Sequence, residues 1–215
     1  MASLLRQLAG VKTRGGEQFR GRGANVSRTD VFQNRTGDKP RARSTSDKRV
    51  AVPDAVWAPL TVTFLLAIPG LLGYVIGQPW LFPSLGPTAF LQAEAPHLPS
   101  ARFYNVVVGH LLGLLSAFAA VAVFDASAAP SVLSSHTLPT VRLEAALLAV
   151  LITMLGTSLL RASHPPASAT TLLIALGGMQ ATLKEAGIIC TGVAIVAIAG
   201  EGVRQLRLRL VRPHS

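Results

Sequence analysis

Ser163–Met179 reads SHPPASATTLLIALGGM, and the two halves of that stretch make opposite demands. The second half is Leu, Ile, Ala and Gly, as suits a bilayer interior. The first holds an ionisable ring, His164, and two prolines, Pro165 and Pro166, which cannot donate a backbone hydrogen bond. Proline is nonetheless at home in the first turn of a helix, where its missing N–H has no partner to lose. Ser or Thr beside it can cap the remaining free donors. The stretch therefore predicts a short helix whose N-terminus is deliberately marked, set within an apolar region.

A second piece has the same design: FPSLGPTAFLQ, Phe82–Gln92. GPTAFL (Gly86–Leu91) aligns with SATTLL (Ser168–Leu173), small and hydroxyl residues leading into aliphatics. Around these pieces lie four apolar segments, at Val56–Gly77, Phe103–Phe124, Val141–Leu160 and Leu183–Val203. Each is long enough for a hydrocarbon core, which needs about 20 residues. Pro69–Gly70 is expected to kink the first rather than end it, because neighbouring helices can satisfy freed carbonyls. The order is long, broken and short, long, and then the same again. Duplicated halves with discontinuous helices are a common transporter design. The expected fold class is an all-α membrane protein, with four transmembrane helices plus two short Pro/Gly-started half-helices arranged as an internal repeat. The sequence leaves open whether each half-helix dips and returns, crosses obliquely, or only seals the bundle as an interfacial loop.

Composition agrees with a membrane protein. The 215 residues are 50% hydrophobic and only 14% charged, too apolar for an ordinary soluble domain. The net charge of +10 sits mainly at the ends. Residues 1–50 carry twelve Lys and Arg against four acids, and Arg204, Arg207, Arg209 and Arg212 crowd the C-terminus. Basic ends tend to stay on the side from which a chain inserts, so an even number of crossings is expected. Three regions follow: a basic tail over residues 1–52, a transmembrane domain over 53–205, and a basic C-terminal tail over 206–215. The single cysteine, Cys190, excludes an intramolecular disulfide.

Residues 1–52 are rich in Arg, Gly, Ser and Thr and are expected to be disordered. Leu4, Leu8 and Val11 share one helical face, with Arg6, Lys12 and Arg14 elsewhere. Such an amphipathic, arginine-bearing start fits an organellar transit peptide. A plain basic tail touching anionic lipid is the alternative. Nucleic-acid binding is disfavoured, since no aromatic residues interleave with the arginines.

Helix N-termini favour anions, because their free N–H groups carry partial positive charge. Two such starts converging near the midplane would form a small anion site. Ser84, Gly86 and Thr88 would line one side, and His164, Ser168, Thr170 and Thr171 the other. His110, in NVVVGHLLG, is an ionisable group inside a span, and such groups usually mark pathways. Asn105 could bond across to a neighbouring helix. Gly109 and Gly113 form a small-xxx-small row that permits close helix approach. Arg102 and Arg161 could attract anions or simply extend to the interface. The histidines have no metal-ligand spacing, and no phosphate loop or nucleophile elbow is present. No metal, no cofactor and no enzymatic activity are expected.

FPSLGPTAFL, NVVVGHLLG and SHPPASATTLL, in that order around four spans, resemble the HPP family of integral membrane proteins over about residues 55–205. The resemblance implies a four-span transmembrane domain and, as for members in cyanobacteria and plastids, nitrite transport. It singles out His164, Pro165, Pro166, Gly86, Asn105, Gly109 and His110. Ser168 departs from it, since the family commonly has glycine after HPPA. The expected function is therefore a transporter or channel for a small inorganic anion, nitrite first. A non-transporting membrane scaffold is the alternative. The expected partners are that anion, the lipid bilayer and, in a homo-oligomer, further copies of the chain. A plastid membrane is the expected location, the plasma membrane otherwise.

Overall fold

In a computed structural model, residues 53–211 are described. The readings made on residues 1–52, including the transit peptide and its Leu4–Leu8–Val11 face, lie outside them. The described residues are helical: α1 (Asp54–Ile76), α2 (Leu85–Glu94), α3 (Phe103–Val123), α4 (Val132–Ser135), α5 (Thr140–Leu159), α6 (Ala167–Ala175) and α7 (Leu183–Val211), with 3-10 turns at Pro99–Ala101 and Ala126–Ala128. Among the described residues, the helices α1, α3, α5 and α7 are the four long and apolar enough to cross a membrane.

Helix α1 runs unbroken through Pro59 and Pro69 and stops at Gly77. That glycine takes a left-handed conformation, φ +72°, while the Gln78 N–H donates to Gly73 O at 2.8 Å. This is the usual way a glycine closes a helix. Gly73 faces the returning chain, where a Cβ would press on the Gln78 carbonyl and on Trp80 N. Helix α7 continues to Val211, past the end of the apolar segment. Glu201 there pairs with Arg204 at 2.6 Å, and Arg207 reaches Asp54 at the start of α1.

Contacts at the two ends of the bundle fix the topology. Asp54 meets Arg207, the Phe103 N–H donates to Glu201 Oε2 at 3.1 Å, and the Tyr104 hydroxyl donates to Leu160 O at 3.1 Å. The starts of α1 and α3 and the ends of α5 and α7 therefore share one end. At the other, Arg142 at the start of α5 bonds Ala129 O at 2.9 Å and Ala175 O, the close of α6, at 3.3 Å. Residues 77–102, with α2, must then carry the chain back between the two ends. Residues 160–182, with α6, do the same in the opposite direction. Each half-helix and its extended lead-in make a crossing, and the bundle is a three-plus-three inverted repeat.

The repeat is close in register. Helix α2 begins at Leu85 and α6 at Ala167, and the same gap-free alignment pairs Phe82 with His164, Pro83 with Pro165 and Thr88 with Thr170. Each lead-in rests on a glycine of the opposite half. A Cβ on Gly109 of α3 would lie 2.8 Å from His164 Cβ, and one on Gly192 of α7 would lie 2.6 Å from Phe82 Cε1.

Packing follows the rules of a membrane interior. The core is dominated by alanine, with Ala117, Ala120, Ala145 and Ala149 fully buried, because small residues let helices approach where lipid removes the hydrophobic drive. Many of the large apolar side chains point outward. Leu60, Phe64, Leu71, Tyr74, Leu147, Leu151, Met154 and Leu159 are all more than half exposed, a surface that only lipid or a protein partner could cover.

Candidate functional site

The half-helices pass each other rather than meeting tip to tip. Ser84, the residue before α2, lies beside Thr170 of α6, and Thr88 of α2 lies beside His164. The Thr170 hydroxyl donates to Ser84 Oγ at 2.8 Å, and Thr88 Oγ1 lies 3.2 Å from His164 Nε2. The overlap of about one turn corrects the expectation of two tips aimed at a shared pocket. The first-turn donors are also engaged. Leu85 N–H donates to Phe82 O at 3.1 Å, Ala167 N–H to His164 O at 2.9 Å and Ser168 N–H to Pro165 O at 3.1 Å.

No hydroxyl caps either half-helix. The prolines set a tight turn before each helix, whose carbonyls take the N–H groups that a cap would have served. Ser84 is thereby released for the tertiary bond to Thr170, and Ser168 turns back to donate to Pro165 O at 2.8 Å.

Helix α3 completes the cluster. His110 is 2% exposed and stands between the half-helices, with Nε2 2.9 Å from Thr88 Oγ1 and Nδ1 2.7 Å from Thr170 Oγ1. Its ring meets that of His164 edge-on, with centroids 5.0 Å apart. His164 Nδ1 lies 2.8 Å from Ser100 O. A carbonyl only accepts, so neutral His164 carries its proton on Nδ1 and presents a lone pair at Nε2. Asn105 holds the lead-in, its amide donating to Ser163 O at 3.0 Å. Gly113 lets α6 approach, since a Cβ there would lie 2.8 Å from both Ala167 O and Thr171 Oγ1.

Of the residues singled out from sequence, Ser84, Thr88, His110, His164 and Thr170 come together in one buried cluster, with Asn105, Gly109 and Gly113 supporting it. Gly86 does not join them. It lines a surface groove with Pro87, Phe90, Glu94, Pro165 and Pro166, and a Cβ on it would touch nothing. Thr171 bonds Thr153 at 3.0 Å on the α5 side. Arg102 is exposed ahead of α3, and Arg161 is exposed at the left-handed residue that ends α5, φ +51°. Neither is bonded to the cluster.

A cleft of about 270 Å³ opens beside the cluster between α5 and the start of α6. Its lining is Val150, Thr153, Met154, Thr157, Ser163, His164, Pro165 and Ser168. His164 thus joins the buried hydroxyls to an open, partly polar groove. A smaller cavity of about 130 Å³ reaches His110 from between α3 and α7, beside Cys190 and otherwise apolar.

Sequence reading missed three contributors to the site and one buried polar residue apart from it. Thr153 and Thr157 lay in an apparently plain span, Ser100 contributes only its backbone carbonyl, and Gln92 stood at the end of its half-helix. Gln92 is 2% exposed, presses on the Cα of Gly200, and has no hydrogen-bond partner for its amide among the described residues. Its place one helical turn beyond Thr88 and two beyond Ser84 was the available signal.

Fold and site together define an integral membrane protein with a histidine and hydroxyl cluster where two inverted halves meet. The model of the HPP transmembrane region matches residues 47–207, and the chain belongs to that family. Comparison with curated proteins and with solved structures gave no match.

Proposed function

We propose that the protein carries a small monovalent anion across its membrane, with nitrite the first candidate by likeness to the plastid and cyanobacterial members of the family. The observation that carries this is the placement of His164. Its ring is buried against Thr88 and Ser100 yet borders the 270 Å³ cleft with Ser163, Ser168, Thr153 and Thr157. Polar and ionisable groups are expensive inside a membrane and are kept there mainly for function. The cleft has room for a few-atom ion, which would be met by the hydroxyls of Thr153, Thr157 and Ser168 once they turn from the backbone carbonyls to which they donate. An anion enters this cleft and reaches the cluster as the overlapped half-helices part. His164, Ser168, Thr170, Ser84, Thr88 and His110 are the proposed contacts. Asn105 positions the lead-in, and Gly86 lies apart from the path. By the family likeness the membrane is that of a plastid.

A non-transporting scaffold is the second reading, favoured by the engaged first-turn N–H groups, which would make the cluster a seal. Purified protein in liposomes, offered nitrite, nitrate, chloride and formate, separates the two. The carrier reading expects saturable entry of at least one anion above protein-free liposomes; a scaffold gives none.

A further inference from the structure

The two halves share a register but not a lining. A left-handed residue closes α1 at Gly77 and α5 at Arg161, and the N–H after it returns to Gly73 O in one and Thr157 O in the other, both at 2.8 Å. Matching those ends pairs Gly73 with Thr157, Pro69 with Thr153, Leu65 with Ala149 and Thr61 with Ala145, all of them buried. The contact glycines of α3 and α7, Gly109 and Gly192, pair His110 with Val193, again both buried. Thr153, Thr157, Ser163, His164 and Ser168 of the 270 Å³ cleft thus have Pro69, Gly73, Leu81, Phe82 and Gly86 as counterparts. None of these has a polar side chain.

The counterpart of the cleft is also filled. Four residues, Gln78–Leu81, lie between Gly77 and Phe82, against two, Ala162 and Ser163, between Arg161 and His164. The longer lead-in folds back on α1 and α7. A Cβ on Gly73 would strike the Gln78 carbonyl and lie 3.2 Å from Trp80 N, and one on Gly70 would lie 3.3 Å from Leu81 Cδ2. On α7, a Cβ on Gly192 would lie 2.7 Å from Trp80 O and 2.6 Å from Phe82 Cε1. Phe82 is 6% exposed and shares one buried apolar cluster with Leu85, Ile189 and Val193. This seal stands toward the end of α1. The polar cleft runs instead along the second half of α5, toward the end of the bundle that holds Asp54.

A site reached from one end needs a way out at the other. Carriers built from inverted repeats gate or rock one half against the other around a fixed site. A hydrophobic constriction closes such a route by excluding water, with no charge needed. Building on the carrier reading, we infer that Phe82 is the gate on the far side of the site. Its ring, seated on Gly192, closes the histidine and hydroxyl cluster toward the end of α1. An anion leaves when the Gln78–Phe82 segment lifts from Gly73 and Gly192. Ser84, two residues beyond Phe82, accepts the hydrogen bond from Thr170, so the gate is tied to the cluster that it closes.

The test uses the purified full chain in liposomes loaded with glucose. Entry of nitrite, chloride and formate, each as its potassium salt, is measured for the wild type, Phe82→Ala, Phe82→Leu and Phe64→Ala, and protein-free liposomes supply the correction. Phe64 is 56% exposed on the lipid face and controls for the loss of an aromatic ring. Phe82→Ala should raise entry of the carried anion severalfold and make it climb with concentration without saturating. Phe82→Leu should do the same to a smaller extent, Phe64→Ala should match the wild type, and glucose should stay inside throughout. A purely structural Phe82 would lower the melting temperature without raising the flux. Phe82→Leu keeps an apolar side chain and carries the test if Phe82→Ala does not fold. Wild-type or lower flux from the folded Phe82 variants overturns the gate and leaves the carrier standing. Glucose release, or an equal rise in Phe64→Ala, overturns it too, since the bundle as a whole would then have loosened. Entry through the Phe82 variants alone supports the gate, with the wild type held shut. No anion entry through any of the four overturns the carrier reading and the gate together.

Discussion

Thr88 and Thr170 hold the same position in the two half-helices, and a single imidazole joins them. His110 Nε2 is 2.9 Å from the first and Nδ1 2.7 Å from the second. The helices α2 and α6 belong to opposite halves of the repeat, so this bridge sits where the halves turn on each other. Any motion that opens the bundle there must break at least one of the two contacts.

Thr88→Val should show the bridge's worth. The substitution keeps the volume and removes the oxygen shared by Ser84 O, His110 and His164. Net bonds of this kind contribute about 1 kcal/mol each, and a buried group left without a partner costs about 1–3 kcal/mol. Thermal unfolding in detergent should fall by several degrees. An unchanged melting temperature would mean that the hydroxyl contributes nothing there.

Two glycines should respond in opposite ways to alanine. Gly109→Ala forces a Cβ to within 2.8 Å of His164 Cβ, and overpacking of this sort costs about 1–3 kcal/mol. Gly86→Ala meets nothing within 4 Å and lies in the first turn of α2. It should be neutral or stabilising by up to about 1 kcal/mol through helix propensity. Melting curves of both variants check the pair, and equal losses would contradict the packing described.

Gln92→Leu should raise stability. The buried amide has no partner, and replacing an unmet polar group with an apolar one of similar size recovers roughly 1 kcal/mol. A lower melting temperature would show that the amide is satisfied by a group not among the described residues, such as water.

Arg142→Met should loosen the end of the bundle away from Asp54. The guanidinium donates to Ala129 O and to Ala175 O at the close of α6, where a cation also opposes the helix dipole. Hydrogen bonds from a charged group contribute about 1.5–3 kcal/mol. Limited proteolysis should cut faster around residues 129–137 and 176–182, and an unchanged digestion pattern would remove the arginine from this role.

The sequence was legible where chemistry is local. Apolar length gave the four spans to within a residue or two, apart from the C-terminal end of α7. That helix continues because Glu201 pairs with Arg204 and Arg207 reaches Asp54 across the bundle, which composition does not reveal. Pro83, Pro165 and Pro166 marked both half-helices correctly. The crossing direction depended on contacts remote in sequence, Tyr104 with Leu160 and Arg142 with Ala175, and so was beyond local reading. Histidines and hydroxyls of the cluster could be picked out by type, but their pairing could not. Gly86 was grouped with them because it neighbours Ser84 and Thr88 along the chain. On a helix it points elsewhere, as Ser84 and Thr88 are a full turn apart and Gly86 is half a turn from each. The capping role expected of serine and threonine was taken by turn carbonyls, a competition that the sequence alone leaves undecided.

The most direct measurement is anion uptake per reconstituted molecule, comparing the wild type with His164→Ala at equal folded amounts in the bilayer. Loss of most of the nitrite flux, at least tenfold, is the result the account predicts. Equal flux from the two proteins would contradict it, since His164 would then be only a post that holds the lead-in of α6.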